Sequence, residues 1–178
     1  TIAHETAHLW FGGVVTQTWF DDLWLKEALA GVMAAKILSA SVPGVNHEVR
    51  FLLAHQPAAY DVDRSSRPNA IRQPLDNLKN AGALYGAIVY RKGPAVMRQI
   101  EAFVSEARFQ EALKLYLKRY AFGNAAWSDL LAILRERLDK QLAPLFLLFT
   151  YHKFDCLFYN CHVSLADQNP SVSNSRFN

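Results

Sequence analysis

Only two cysteines occur in the 178 residues, Cys156 and Cys161, too few to staple a disulfide-rich secreted fold. Long apolar runs are also missing. The longest, Leu142 to Phe149, falls far short of the roughly 18 to 20 residues that cross a bilayer, so no membrane segment is predicted. Charge of one sign is nowhere concentrated: the net charge is +3, and its carriers are spread along the chain. That excludes the basic stripe of a nucleic-acid-binding surface and the polybasic patch of a membrane anchor. Apolar residues make up 51% and charged residues 20%, so a packed globular core is expected rather than disorder.

What is present reads mostly as helix. Residues 1 to about 11 have helical character, with Gly12-Gly13 as a stop. Val14 to Phe20 is β-branched and aromatic, which suits a short extended connection. A second helix is predicted from Leu23 to about Ala40, ended by Pro43-Gly44, and a third from Val45 to Ala59. Asp61 to Asn80 is rich in polar residues and proline and reads as a long surface loop. Ala83 to Val104 is again helical, with a break or kink expected at Lys92-Gly93-Pro94, because proline is tolerated in a first helical turn and not in an interior. Amphipathic helices follow over Glu106 to Tyr120, ended by Gly123-Asn124, and Ser128 to about Gln141.

The character changes at Ala143. The last 36 residues hold both cysteines and five of the eleven phenylalanines, show no helical period, and end in a polar run. The organisation expected is therefore a domain over residues 1–142 and an atypical, poorly ordered tail over 143–178. A frameshift, a retained intron or an alternative transcript would each produce such a break.

The chemistry is concentrated near the start. His4-Glu5-Thr6-Ala7-His8 is an H-E-x-x-H pentapeptide. Residues four apart share a helix face, so both imidazoles can reach one zinc ion while Glu5 stands on the same turn as general base for a water. Two surface histidines on a helix are the plain alternative. Glu27 follows with 18 residues between it and His8, on a second helix predicted to be amphipathic. Alone it would read as a solvated glutamate; after the pentapeptide it offers the third ligand, leaving the fourth position of one Zn2+ to water.

Thr-Ile-Ala-His-Glu-x-Ala-His-x-Trp-Phe-Gly, then Val-Thr, then Trp-x-x-Asp-Leu-Trp-Leu-x-Glu resembles the aminopeptidase N (membrane alanine aminopeptidase) family of zinc metallopeptidases. The resemblance runs to about Leu138. It implies a mainly α fold, the helical part of a thermolysin-like catalytic domain truncated at the N-terminus, acting on peptide substrates with a free N-terminus. By position it assigns His4, His8 and Glu27 to the metal and Glu5 to general base catalysis. It also gives a role to Tyr90 in Tyr90-Arg91-Lys92-Gly93, whose hydroxyl would stabilise the oxyanion of the tetrahedral intermediate. By pattern alone Tyr90 is a packed helix aromatic, and Tyr85, one turn earlier, a pocket wall.

Two departures stand out. The family usually has Asn-Glu-Gly about the third ligand, where this chain has Lys26-Glu27-Ala28. The family's Gly-x-Met-Glu-Asn segment, which grips the substrate's α-amino group, is not in the sequence. The chain is accordingly expected to be a fragment and a poor enzyme by itself, with Ile2, Leu9 and Trp10 partly exposed. Two other functions stay open: an inactive truncated product or pseudoenzyme of the same fold, and another zinc hydrolase such as an endopeptidase or epoxide hydrolase. His47 and His55 fall in a predicted helix and read as ordinary surface or packing residues. His152, Cys156, Cys161 and His162 match no strong zinc-finger spacing and are not taken as a second site.

Overall fold

A computed structural model describes residues 1–64 and 70–136. Among them, six α-helices carry the fold: α1 (Ile2–His8), α2 (Leu23–Ser41), α3 (His47–Asp63), α4 (Gly93–Val104), α5 (Glu106–Arg119) and α6 (Trp127–Glu136). Two short strands, β1 (Val15–Gln17) and β2 (Gly123–Ala125), pair in parallel, with Thr16 opposite Asn124. The mainly α class expected from the sequence is the class observed.

α2 stands at the centre because its first half is apolar on nearly every side. Leu23, Trp24, Leu25, Ala28, Leu29, Ala30 and Val32 are all buried, so this end runs inside the core rather than along its surface. The helix predicted to be amphipathic is therefore wrapped, with α1, α3, α4 and β1 packed around it. On one side Trp24 meets Trp127 of α6 edge-on, ring centroids 5.1 Å apart. On another, Ala28 faces Gly93: a Cβ on Gly93 would stand only 3.3 Å from that of Ala28. The methyl group of Ala28 thus fits because the first residue of α4 has none.

The outer helices follow the 3.6-residue period. α4 buries Val96, Met97, Ile100 and Val104; α5 buries Phe109, Ala112, Leu113 and Tyr116; α6 buries Trp127, Leu130, Leu131 and Leu134. Asp22, just before α2, joins distant segments. Its Oδ1 accepts from Arg72 Nε at 2.7 Å and its Oδ2 from the backbone N–H of Trp127 at 3.0 Å. A buried carboxylate with two such donors holds the start of α2 against the start of α6.

Several boundaries differ from the sequence reading. α1 ends at His8 rather than near Phe11, because the chain turns back sharply there: a Cβ on Gly13 would sit 2.4 Å from the Leu9 carbonyl oxygen. α3 continues to Asp63 through Pro57. The carbonyl that Pro57 leaves without a helical donor belongs to Leu53, on the exposed side of α3, where the residue is 71% exposed. Within the predicted surface loop, Ile71 and Leu75 are buried, and a 3₁₀ segment runs from Leu78 to Leu84. The predicted helix from Ala83 to Val104 is not continuous: a π-helical turn, Ile88–Lys92, precedes α4. Pro94 then falls in the first turn of α4, where no backbone donor is needed. Gly123-Asn124, read as a helix stop, belongs to β2. The remainder of the helix predicted to Gln141, the boundary at 142, the tail and the His152/Cys156/Cys161/His162 set lie outside the described residues.

Candidate metal centre

The turn after α1 sets the direction of His8. Gly12 adopts φ +114°, a left-handed conformation that glycine takes without strain. Together with the close approach at Gly13 it brings the Phe11 carbonyl oxygen to 2.9 Å from His8 Nδ1. A carbonyl only accepts, so Nδ1 carries the hydrogen and Nε2 presents its lone pair. Neither glycine acts chemically, yet together they fix the tautomer.

One helical turn separates His4 from His8, and their rings stand edge to face with centroids 4.6 Å apart. Their Nε2 atoms are 3.1 Å apart, and Glu27 Oε2 lies 3.2 Å from each. The three atoms form a nearly equilateral triangle. Ligands held about 2.0 to 2.1 Å from a tetrahedral ion are separated by about 3.3 Å, so the triangle has the size of one tetrahedral face. A proton could bridge only one of its sides and would leave the others as lone pair against lone pair. A cation engages all three. The donor set therefore fits a metal ion, and among the described residues it is the one group of three such side chains within mutual reach.

Glu27 reaches this point from the buried half of α2, where it is 4% exposed. Its other oxygen, Oε1, lies 3.7 Å from Lys26 Nζ. The lysine that stands in place of the usual asparagine thus leans on the carboxylate oxygen turned away from the histidines.

The triangle opens on a cleft of about 690 Å³, whose lining includes Glu5, Tyr90, Tyr85, His55 and Arg91. Glu5, between the two histidines in sequence, is exposed to it. Tyr90, in the π-helical turn, is 37% exposed, and its ring stacks with that of Tyr85 at 6.3 Å between centroids. Partial burial pushes the Tyr90 phenol above its ordinary range, and the negative charges of Glu27 and Glu5 push it further. It therefore keeps its proton throughout the neutral range. All five residues singled out in the sequence, His4, Glu5, His8, Glu27 and Tyr90, line one cleft.

His55 and Arg91 line it too, and the sequence does not mark them. Nothing in the local sequence of His55 could show it, since α3 reaches the cleft only by packing on the π-helical turn, whereas Arg91 stands beside Tyr90 on that turn. His47, by contrast, does not line the cleft, and its Nε2 lies 2.7 Å from the Val42 carbonyl oxygen. Burial lowers the His55 imidazole to about 4, and the nearby Arg91 charge adds to the effect. A group protonated more easily unfolded, near 6.5, than folded costs stability as pH falls through that window. Metal-free protein should therefore lose thermal stability between pH 6.5 and about 4, with no contribution from His55 above that range. Melting temperatures across this range in the chain and in His55→Leu check it: the slope should flatten in the variant, most clearly above pH 5, and parallel curves would contradict it.

Comparison with known proteins agrees with this frame. Residues 1–149 match the domain of peptidase family M1, and the chain belongs to that family. It is a family of metallopeptidases. The chain is 35% identical over 144 residues to a leucyl aminopeptidase of Saccharolobus solfataricus, covering 81% of this chain and 18% of that protein. It is 37% identical over 135 residues to the puromycin-sensitive aminopeptidase of Caenorhabditis elegans, covering 76% and 14%. To an aminopeptidase N of Streptomyces lividans it is 37% identical over 145 residues, covering 80% and 17%. The chain thus spans less than a fifth of the length of each of these relatives.

Proposed function

We propose that the chain carries the zinc site of an aminopeptidase, which hydrolyses the first peptide bond of substrates with a free N-terminus. The observation that carries this reading is the triangle of His4 Nε2, His8 Nε2 and Glu27 Oε2, with sides of 3.1 to 3.2 Å. Membership of the metallopeptidase family and relatives named as aminopeptidases support it.

Those three residues would hold one zinc ion. When bound, zinc supplies Lewis acidity, polarising a carbonyl and making water nucleophilic near neutral pH. Glu5, exposed in the cleft beside the triangle, accepts the proton of the attacking water and returns it to the leaving amine. Tyr90, kept protonated by its surroundings, donates its hydroxyl hydrogen to the oxygen on which negative charge develops. The stacked Tyr85 stiffens that wall. Binding of the substrate's ammonium group falls to acidic residues that the described cleft does not supply beyond Glu5 and Glu27. Positioning of that kind is worth several kcal/mol, so turnover by this chain should be well below ~1 per second.

The test is a matched pair of peptides, one with a free amine and one N-acetylated, given to the zinc-loaded chain. Slow release of the first residue from the free-amine peptide only, stopped by a chelator, is the expected result. Cleavage of the blocked peptide would favour an endopeptidase. Cleavage of neither, with zinc bound one to one, would mark an inactive member of the family.

A further inference from the structure

We propose that Arg91 makes the cleft a binding site for a carboxylate of the peptide substrate, either an acidic side chain or the free C-terminus of a short peptide. This rests on the peptidase reading given above. The charged groups lining the cleft fall into two sets. Glu5 and Glu27 are the acids, and both belong to the chemistry at the metal end. Lys26 and Arg91 are the cations. Lys26 Nζ lies 3.7 Å from Glu27 Oε1, so its charge is partly answered within the site.

Arg91 differs. Among the described residues no acid stands within ion-pair distance of it, and its side chain is exposed to the cleft. One arm is tied down: Nη1 donates to the Ala54 carbonyl oxygen of α3 at 3.2 Å. A guanidinium carries five N–H donors in a planar fork, and this single bond to a neutral carbonyl leaves the pair that grips a carboxylate. Anchoring also removes part of the side-chain entropy that binding would otherwise cost.

The surroundings leave that charge dominant on its wall. His55, the nearest basic group on the same side, is held uncharged at neutral pH, in part by Arg91 itself. The stacked rings of Tyr85 and Tyr90 beside it are neutral and flat. A peptide lying along Tyr90 toward the metal therefore meets one cation with no acid partner among the described residues, one position further along the π-helical turn.

Isothermal titration of the zinc-loaded chain tests this, with Glu5→Gln in the background so that the peptides stay whole. Two matched pairs separate the sources of the carboxylate: Ala-Glu amide against Ala-Gln amide, and Ala-Ala free acid against Ala-Ala amide. The carboxylate member of one pair should bind roughly five- to tenfold more tightly, as expected of a charge-assisted fork at a solvent-open site. Arg91→Gln should erase the advantage, Arg91→Glu should reverse it, and Arg91→Lys should keep part of it. A purely structural role for Arg91 would weaken all four peptides alike and would overturn the proposal. So would equal binding within both pairs, or an advantage that survives in Arg91→Gln. If no peptide binds while zinc does, the peptidase reading fails with it; if all bind without regard to charge, only the role of Arg91 fails.

Discussion

Glu27→Gln should weaken zinc binding by roughly a hundred- to a thousandfold. Apparent binding free energies of about 10 to 16 kcal/mol for four-ligand zinc sites allot about 2.5 to 4 kcal/mol to each ligand. Glutamine keeps the size of the side chain while removing the charge opposed to His4 and His8, 3.2 Å from both. Competition with a chromophoric chelator measures the change directly. Thermal unfolding adds a second readout. Zinc at a thousand times its dissociation constant should stabilise the parent chain by about 4 kcal/mol and the variant by far less. If instead the triangle were only a hydrogen-bonded cluster, the variant would be less stable without metal, and zinc would shift neither protein.

Glu5→Gln should lower kcat for a free-amine substrate by a factor of about 10² to 10⁴, the range general base catalysis contributes. Zinc affinity should hardly move, since Glu5 is not part of the triangle. KM should change little as well, because the lost interaction acts on the proton in flight rather than on the bound peptide. The two variants thus separate cleanly: one loses metal, the other keeps metal and loses turnover. An equal loss of zinc in Glu5→Gln would mean that Glu5 serves as a ligand and that the base lies elsewhere.

The helical class and the pentapeptide were legible because both are local. A period of 3.6 residues and an i,i+4 pair are fixed by neighbours in the chain, so spacing alone puts His4 and His8 on one helix face with Glu5 on the same turn. Glu27 was legible by its spacing and by the resemblance around it, though not by its surroundings. That α2 is buried on nearly every side follows only from the elements packed on it. The irregularity before Pro94 was visible, since proline offers no N–H to an interior helical hydrogen bond, but its form, a π-helical turn that carries Tyr90, was not.

The tertiary structure decided what distance along the chain conceals. β1 finds β2 across more than a hundred residues, through Gly-Asn-Ala, a stretch with no strand propensity of its own. Asp22 stands in the quoted motif without a stated role, and only the fold brings Arg72 and the Trp127 amide to its two oxygens. His55 enters the cleft because α3 lies against the turn that bears Tyr90 and Arg91. Residue types and local period therefore determined the helices and the candidate ligands, which depend on bonds a turn apart. Which charges face the cleft depended on packing between helices, and packing is set by the whole core at once.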